Sequence, residues 1–144
     1  MKISTKSRYG TRAVLEIALN RGGDKLTRKQ ISRNQEIPSS YLENILISLK
    51  TKGIIRTIRG PKGGYELAKK PEEITIFEIV NILEGSSDSI PCLNDSNVCA
   101  RSSICVTFDV WRRLQEVQKD FLSEITIKNL VEQTQELYSP NFSI

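Results

Sequence analysis

Histidine is absent from this chain of 144 residues, and its absence excludes several kinds of chemistry. Without an imidazole, neither a Ser–His nor a Cys–His nucleophilic pair can form, and no paired-carboxylate motif stands out. The sequence therefore does not predict an enzyme. No run approaches the roughly 18 apolar residues of a membrane-spanning helix, and the first residues lack the apolar segment of a secretory signal. We expect a cytoplasmic protein without a membrane partner.

Cysteine is scarce and is confined to one polar stretch, where Cys92, Cys99 and Cys105 lie among Asn, Asp and Ser residues. Such residues favour turns and interrupt regular structure. Thiols in the cytoplasm stay reduced, so three close cysteines indicate a metal site rather than disulfide bonds. Three interpretations stay open from the residues alone: an iron–sulfur cluster, a zinc ion, or redox-active thiols without a metal.

Charge is distributed unevenly along the chain. Residues 1–70 carry 16 Lys and Arg against 5 Asp and Glu, whereas residues 71–144 carry 5 against 12. A basic half followed by an acidic half is expected when one half meets a polyanion such as DNA. The alternative is a basic surface that is merely solvated. An iron–sulfur enzyme or electron carrier would have no use for the basic half.

The basic half predicts three helices. The first spans about 5–21, and a capping box between Thr27 and Gln30 opens the second over 28–35. A further capping box between Ser40 and Glu43 opens the third, which runs to about Lys52. The second and third helices, joined by a tight turn, predict a helix-turn-helix unit whose last helix enters the DNA major groove by its N-terminal end. The buried stripe of that helix is predicted to be Leu42, Ile45, Leu46 and Leu49.

Polar side chains near the start of the third helix are the candidates for contacts with bases. Glu can accept from cytosine N4, Asn can pair with adenine, and Ser can serve either role. For Glu43 the alternative is capping of its own helix, because one carboxylate cannot do both. The predicted DNA-contacting residues of the two helices are Arg28, Ser39, Ser40, Tyr41, Glu43 and Asn44.

A β-hairpin follows the third helix. Residues 54–59 alternate and are rich in β-branched side chains, residues 60–64 form a glycine-rich tip, and residues 65–67 return as a second strand. A hairpin at this place is a wing, and Arg59 and Lys62 at its tip would reach phosphates or a minor groove. A nucleotide phosphate loop is disfavoured, because the Walker spacing is missing and no helix follows.

The acidic half predicts helices again. An apolar helix opens with a capping box between Thr75 and Glu78 and ends at Gly85. A long helix after Cys105 carries apolar residues at steps of 4, 3 and 4, the rhythm of a coiled coil, and indicates a homodimer interface; a helix folded onto its own domain is the alternative. The last helix starts at Thr126. The predicted fold is mainly α: a winged helix-turn-helix domain over 1–85, a cysteine-rich segment over 86–107, and dimerisation and C-terminal helices over 108–144.

Four stretches of the chain carry a family resemblance. They are KISTKSRYGTRAVLEIA, IPSSYLENILISLKTKGII, RGPKGGYEL and the cysteine-rich segment followed by Trp. They resemble the IscR-like iron–sulfur regulators of the winged-helix bacterial family that also includes NsrR and CymR. The resemblance implies a dimeric repressor that binds an inverted-repeat operator in double-stranded DNA. It also implies a [2Fe–2S] cluster, with [4Fe–4S] as the alternative, and control of cluster-assembly genes; sensing of nitric oxide or thiol state is the alternative role.

The same resemblance assigns residues. It implies cluster thiolates at Cys92, Cys99 and Cys105, and DNA contacts that include Gly60 of the wing. The family's fourth cluster ligand does not carry over, because Phe108 stands where IscR-like members have a His and Arg8 where NsrR-like members have an Asp. The fourth position is left to Asp95, Asp109, the Thr107 hydroxyl, water or an external thiol.

Overall fold

The computed structural model describes residues 3–85 and 90–139, so residues 1–2, residues 86–89 of the predicted cysteine-rich segment and the tail beyond 139 lie outside it. In the described ranges, no helix combines the length and the apolar character that crossing a membrane requires. Within these described ranges, three 3₁₀ turns supplement the helices and strands: Pro71–Glu73, Ser96–Val98 and Ser102–Ile104. The main elements are α1 (Thr5–Leu19), α2 (Arg28–Gln35), α3 (Ser39–Thr51), β1 (Ile55–Ile58), β2 (Gly64–Leu67), α4 (Ile76–Glu84), α5 (Pro91–Asn94), α6 (Phe108–Glu124) and α7 (Ile127–Tyr138).

Capping side chains explain where several helices begin. Thr27 accepts a hydrogen bond from the backbone N–H of Gln30, whose side chain in turn accepts one from the N–H of Thr27, so the predicted capping box of α2 is confirmed. At α4 the box is only half formed, because the Glu78 carboxylate pairs with Lys69 instead of reaching back. For α3 the predicted box is wrong: Pro38 is the N-cap, and the helix therefore begins one residue before Ser40.

The hydrophobic core joins α1, α2, α3 and α4 beneath the hairpin. The predicted stripe of α3 is confirmed, since none of its four side chains is more than 1% exposed. At about 1.5–3 kcal/mol for each buried aliphatic side chain, this stripe is a major contributor to stability. Gly10 lets α1 approach α4 closely. Other fully buried members of the core include Val14, Ile31, Ile37, Ile54, Ile74 and Ile79.

The wing is an antiparallel hairpin in which Ile55 pairs with Leu67 and Ile58 with Gly64. Its second strand is held on the other side as well, because the Tyr65 N–H donates to the Leu26 carbonyl over 2.8 Å. A Cβ on Gly64 would lie 2.5 Å from that carbonyl oxygen, so only glycine permits the approach. The hairpin is thereby fixed to the loop between α1 and α2.

The chain leaves the core after α4 and returns with α7. The Ile76 N–H donates to the Ile125 carbonyl and the Ile127 N–H donates to the Ile74 carbonyl, both over 2.9 Å. Ile127 is fully buried, and α7 packs on α1. The 3₁₀ turns Ser96–Val98 and Ser102–Ile104, α5 and α6 thus form an excursion that is closed at its base by this pair of hydrogen bonds, which we call the α4–α7 clasp.

We expect Gly10→Ala to destabilise the fold despite the helix propensity of alanine. The new Cβ would lie 2.1 Å from Leu83 Cδ1 and 3.3 Å from Ile45 Cγ2. Overpacking of this kind typically costs about 1–3 kcal/mol, against a gain of about 1 kcal/mol from replacing a helical glycine. Urea unfolding should show a net loss of stability that disappears when Gly10→Ala is made in a Leu83→Ala background. An equal loss in both backgrounds would contradict the steric explanation.

Candidate nucleic-acid interface and thiol segment

The outward side of α3 is defined by the burial of its opposite side. All five polar or aromatic candidates of this helix are exposed, with Tyr41 at 40%. They occupy the first two turns, which is the part of a recognition helix that reaches base edges. These residues are Ser39, Ser40, Tyr41, Glu43 and Asn44.

Glu43 is paired across the two helices of the unit. Its Oε2 atom lies 2.6 Å from Nη1 of Arg28 in the first turn of α2. The capping role considered for Glu43 is therefore wrong, because its carboxylate points toward α2. The Arg28 and Glu43 side chains are 40% and 52% exposed, and a solvated pair contributes only about 0–1 kcal/mol to stability. The pair can consequently open to meet DNA at little cost.

Tyr41 is anchored by residues that the sequence did not connect with the site. Its ring packs edge-on against Tyr9 of α1, with centroids 5.9 Å apart, and the Arg12 guanidinium lies 5.7 Å from the Tyr9 ring centroid. Arg12 also donates to the Gln35 side chain over 3.1 Å. This chain of contacts joins α1 and α2 to the start of α3. The sequence shows Tyr9 and Arg12 on α1, but only the tertiary packing brings them to Tyr41.

The wing tip presents its cations on a narrow turn. Arg59, Gly60 and Lys62 are all exposed. Gly60 has a φ of 114°, which favours glycine, and its carbonyl accepts a hydrogen bond from the Gly63 N–H over 2.9 Å. The tip is a separate element from the outward side of α3, so the predicted contacts fall into two groups.

A neighbouring cation on the hairpin is already partnered. Arg56 Nε lies 2.6 Å from Glu66 Oε1, and Lys25 Nζ lies 2.5 Å from Glu66 Oε2. Hydrogen bonds from Lys25 and then Arg56 lower the pKa of Glu66, so its carboxylate stays charged. These contacts leave the tip cations, rather than Arg56, as the candidates for phosphate binding.

The thiol segment consists of short turns instead of an unstructured loop. Cys92 lies in α5, Cys99 directly follows the 3₁₀ turn Ser96–Val98, and Cys105 directly follows the 3₁₀ turn Ser102–Ile104. All three thiols are free and half-buried. Within residues 3–85 and 90–139, no three or more His, Cys, Asp or Glu side chains converge to hold a metal ion.

Cys105 has the most distinctive environment of the three. Its Sγ atom lies 3.2 Å from the Thr107 hydroxyl, and this hydrogen bond is the main cause that lowers the pKa of the Cys105 thiol. Backbone N–H groups of Phe108 and Thr107 and the charge of Arg101 act in the same direction. A lower pKa favours the thiolate, which is the form that binds metals and attacks electrophiles.

The candidates for a fourth ligand differ in their present partners. Asp109 Oδ1 lies 3.0 Å from Arg112 Nη2, and the Asp95 carboxylate accepts from the Asn97 N–H over 2.9 Å. The Thr107 hydroxyl already lies beside a thiol. Three thiolates suit an iron–sulfur cluster in kind, but clusters of this type usually take four protein ligands. The three cysteines are therefore suitable ligands for an iron–sulfur cluster by their chemistry, but they supply one protein ligand fewer than such a cluster usually has.

Helix α6 has no buried residue, although it is amphipathic. Its predicted stripe is largely exposed: Val110 at 55%, Leu114 at 41%, Val117 at 65% and Phe121 at 61%. A different side of the helix leans on α4, where the Lys119 ammonium lies 5.9 Å from the Phe77 ring centroid. Packing onto its own domain thus accounts for one side of α6 and leaves the stripe uncovered in the single chain.

Comparisons with known proteins agree with this architecture. A family model described as "Rrf2: Iron-dependent Transcriptional regulator" matches residues 3–133. The transcriptional regulator IscR of Klebsiella pneumoniae is 34% identical over 131 residues, which cover 91% of this chain and 80% of that protein. The solved structure of T. potens IscR has a TM-score of 0.81 and 28% identity, covering 98% and 93% of the two chains. That of CymR, the global cysteine regulator of B. subtilis, has a TM-score of 0.71 and 29% identity, covering 92% and 98%.

Proposed function

This chain belongs to the Rrf2 family of helix-turn-helix transcriptional regulators, and from that premise we propose that it is a repressor that senses iron–sulfur cluster status. Proteins of this family bind DNA and are not enzymes. The observation that carries the proposal is that every cysteine of the chain lies on one segment leading directly into α6. As a regulator of cluster-assembly genes, the protein would act in the cytoplasm, where the chromosome is.

The proposed DNA contacts divide between two elements. The outward side of α3, with Arg28 beside it, enters the major groove and reads bases through Ser39, Ser40, Glu43 and Asn44. Tyr41, held by Tyr9, fixes the depth of entry. The wing tip contributes phosphate contacts through the Arg59 and Lys62 cations and through the exposed backbone at Gly60. The excess of basic residues in the first half supports this assignment.

We propose that the exposed stripe of α6 pairs with the same stripe of a second copy. A self-complementary apolar surface favours a two-fold dimer. Two winged helix-turn-helix domains related by a two-fold axis match an inverted-repeat operator, because the symmetry of the DNA site mirrors that of the protein.

The thiol segment is placed to influence this dimer. The Cys105 carbonyl accepts a hydrogen bond from the N–H of Phe108, the first residue of α6, over 3.1 Å, and α5 with Cys92 packs against the same helix. A bound cluster would supply a redox-sensitive group held by Cys92, Cys99 and Cys105. Ordering of this segment would then alter the position of the N-terminal end of α6 and the spacing between the two DNA-binding domains of the dimer.

A repressor that senses thiol state or nitric oxide is the second candidate. It is favoured by the lowered pKa of Cys105 and by the missing fourth ligand. The thiolate is the form of cysteine that reacts with oxidants. The similarity to CymR, a cysteine regulator, is consistent with this role.

Anaerobic reconstitution with iron and sulfide tests the cluster. We expect visible absorption with matching iron and sulfide counts, lost in Cys92→Ala and kept in the control Ser103→Ala on the same segment. A colourless protein with one tightly bound zinc ion would contradict the cluster proposal. A colourless protein whose DNA affinity responds to peroxide or nitric oxide would favour the second candidate.

DNA binding has its own test. Arg59→Ala and Lys62→Ala should each weaken binding to all sequences and reduce the slope of log K against log salt concentration by about 1. Glu43→Ala should instead broaden the range of selected sites, because a carboxylate rejects bases that leave it unpaired. Lys128→Ala on α7 is the control, and an equal effect of this change would argue against the wing assignment.

The dimer is tested by placing a charge in the stripe. Val117→Glu should raise the dimer dissociation constant about a hundredfold or more, because an unpaired carboxylate would be buried between the helices. Sedimentation equilibrium measures the change, and Gln133→Glu on the exposed surface of α7 adds the same charge as a control. Dimers of unchanged strength in the Val117 variant would show that the stripe is not the interface.

A further inference from the structure

One exposed side chain of α3 is not used by the proposed contacts. Ile47 is 56% exposed, although it is a branched aliphatic residue in the middle of the helix. It follows Ser40 by seven residues, which is two helical turns, so the two residues lie on the same line of the helix surface. Glu43 and Asn44 flank that line one turn earlier. Ile47 therefore stands at the centre of the DNA-facing side.

Two hydroxyl groups that follow Asn44 and Ile47 by one turn form hydrogen bonds within the helix. Ser48 donates its hydroxyl to the Asn44 carbonyl over 3.0 Å, and Thr51 donates its hydroxyl to the Ile47 carbonyl over 2.8 Å. Both hydroxyls satisfy their donors within the helix. The second half of the outward side thus presents the Ile47 side chain beside the exposed cation Lys50, whereas the first half presents Ser39, Ser40, Glu43 and Asn44.

Single exposed apolar residues are common on proteins and by themselves indicate nothing. The position of Ile47 is what distinguishes it, because the opposite stripe of α3 is completely buried and fixes which side faces DNA. An aliphatic side chain facing base edges can gain only from an apolar partner. In the major groove, that partner is the C5-methyl group of thymine.

We propose that Ile47 is a specificity residue that recognises a thymine methyl group in each half of the operator. The inference rests on the proposed DNA-binding function of α3 and deepens it. With a rise of about 1.5 Å per residue, Ile47 lies about 6 Å beyond Glu43 along the helix axis. DNA rises about 3.4 Å per base along each strand. The thymine and the base that Glu43 contacts are therefore expected to be different bases of the same half-site.

The experiment removes the methyl group from the DNA. Sites are first selected from random duplexes with the full-length protein, and each thymine of a selected site is then replaced singly by deoxyuridine. At one thymine per half-site, deoxyuridine should weaken binding of the unchanged protein about fourfold, the effect of one buried methyl group. In Ile47→Ala the same replacement should have no effect, whereas Ile47→Val should keep most of the sensitivity. Leu19→Ala, which shortens an exposed aliphatic residue of α1, should behave as the unchanged protein.

The outcomes separate the two levels of the argument. Failure of the unchanged protein to bind any DNA at low salt would overturn the proposed function itself. Binding to a selected site without a deoxyuridine effect at any thymine would overturn the role of Ile47 alone. An equal deoxyuridine effect in the unchanged protein and in Ile47→Ala would also overturn it. Should Ile47→Ala fold poorly, the deoxyuridine series on the unchanged protein and Ile47→Val still decides.

Discussion

Four apolar side chains of α3 pack into the core with at most 1% exposure, and their burial sets the direction of every other side chain on that helix. Because α3 cannot rotate without exposing this stripe, Glu43, Asn44 and Ile47 are held on one outward side. The wing depends on the same core, since Ile54 and Ile55 lead from α3 into β1 as buried residues. The orientation of the proposed DNA contacts therefore depends on core packing, and a loss of packing would disturb that orientation first.

The excursion between α4 and α7 obeys a different rule. The core holds it at the α4–α7 clasp and through the contact of α6 with α4, and α6 contributes no buried residue of its own. Under the proposed function, its stability would depend on the partner helix that covers the exposed stripe and on the group that the three thiols bind. Elements with few buried contacts respond most readily to ligands, because little packing energy opposes their movement. A sensing group bound to this excursion, as proposed, could therefore change the position of α6 without disturbing the packing of the winged helix-turn-helix domain.

Local patterns in the sequence predicted local structure well. The bounds of α2, the start of α7 at Thr126 and the buried stripe of α3 follow from capping residues and helical periodicity. The box at Ser40 failed because the Ser-x-x-Glu pattern cannot show that Arg28, fifteen residues away, takes the carboxylate. Likewise the pattern of α7 reveals an apolar side but not that Ile127 enters the N-terminal core. The thiol segment showed its ligand types in sequence, whereas convergence of those ligands depends on tertiary geometry.

The α4–α7 clasp gives α6 a pivot. The helix has 17 residues and is therefore about 25 Å long, with the clasp at its C-terminal end and Cys105 beyond its N-terminal end. At this radius a rotation of about 5° sweeps the thiol end through about 2 Å. Chemistry at the thiol end, as proposed, would therefore act on α6 far from the clasp, and the contacts of α6 with α4 and α5 would oppose the resulting tilt. A small rearrangement around the cysteine sulfur atoms would accordingly correspond to a tilt of α6 by a few degrees about the α4–α7 clasp.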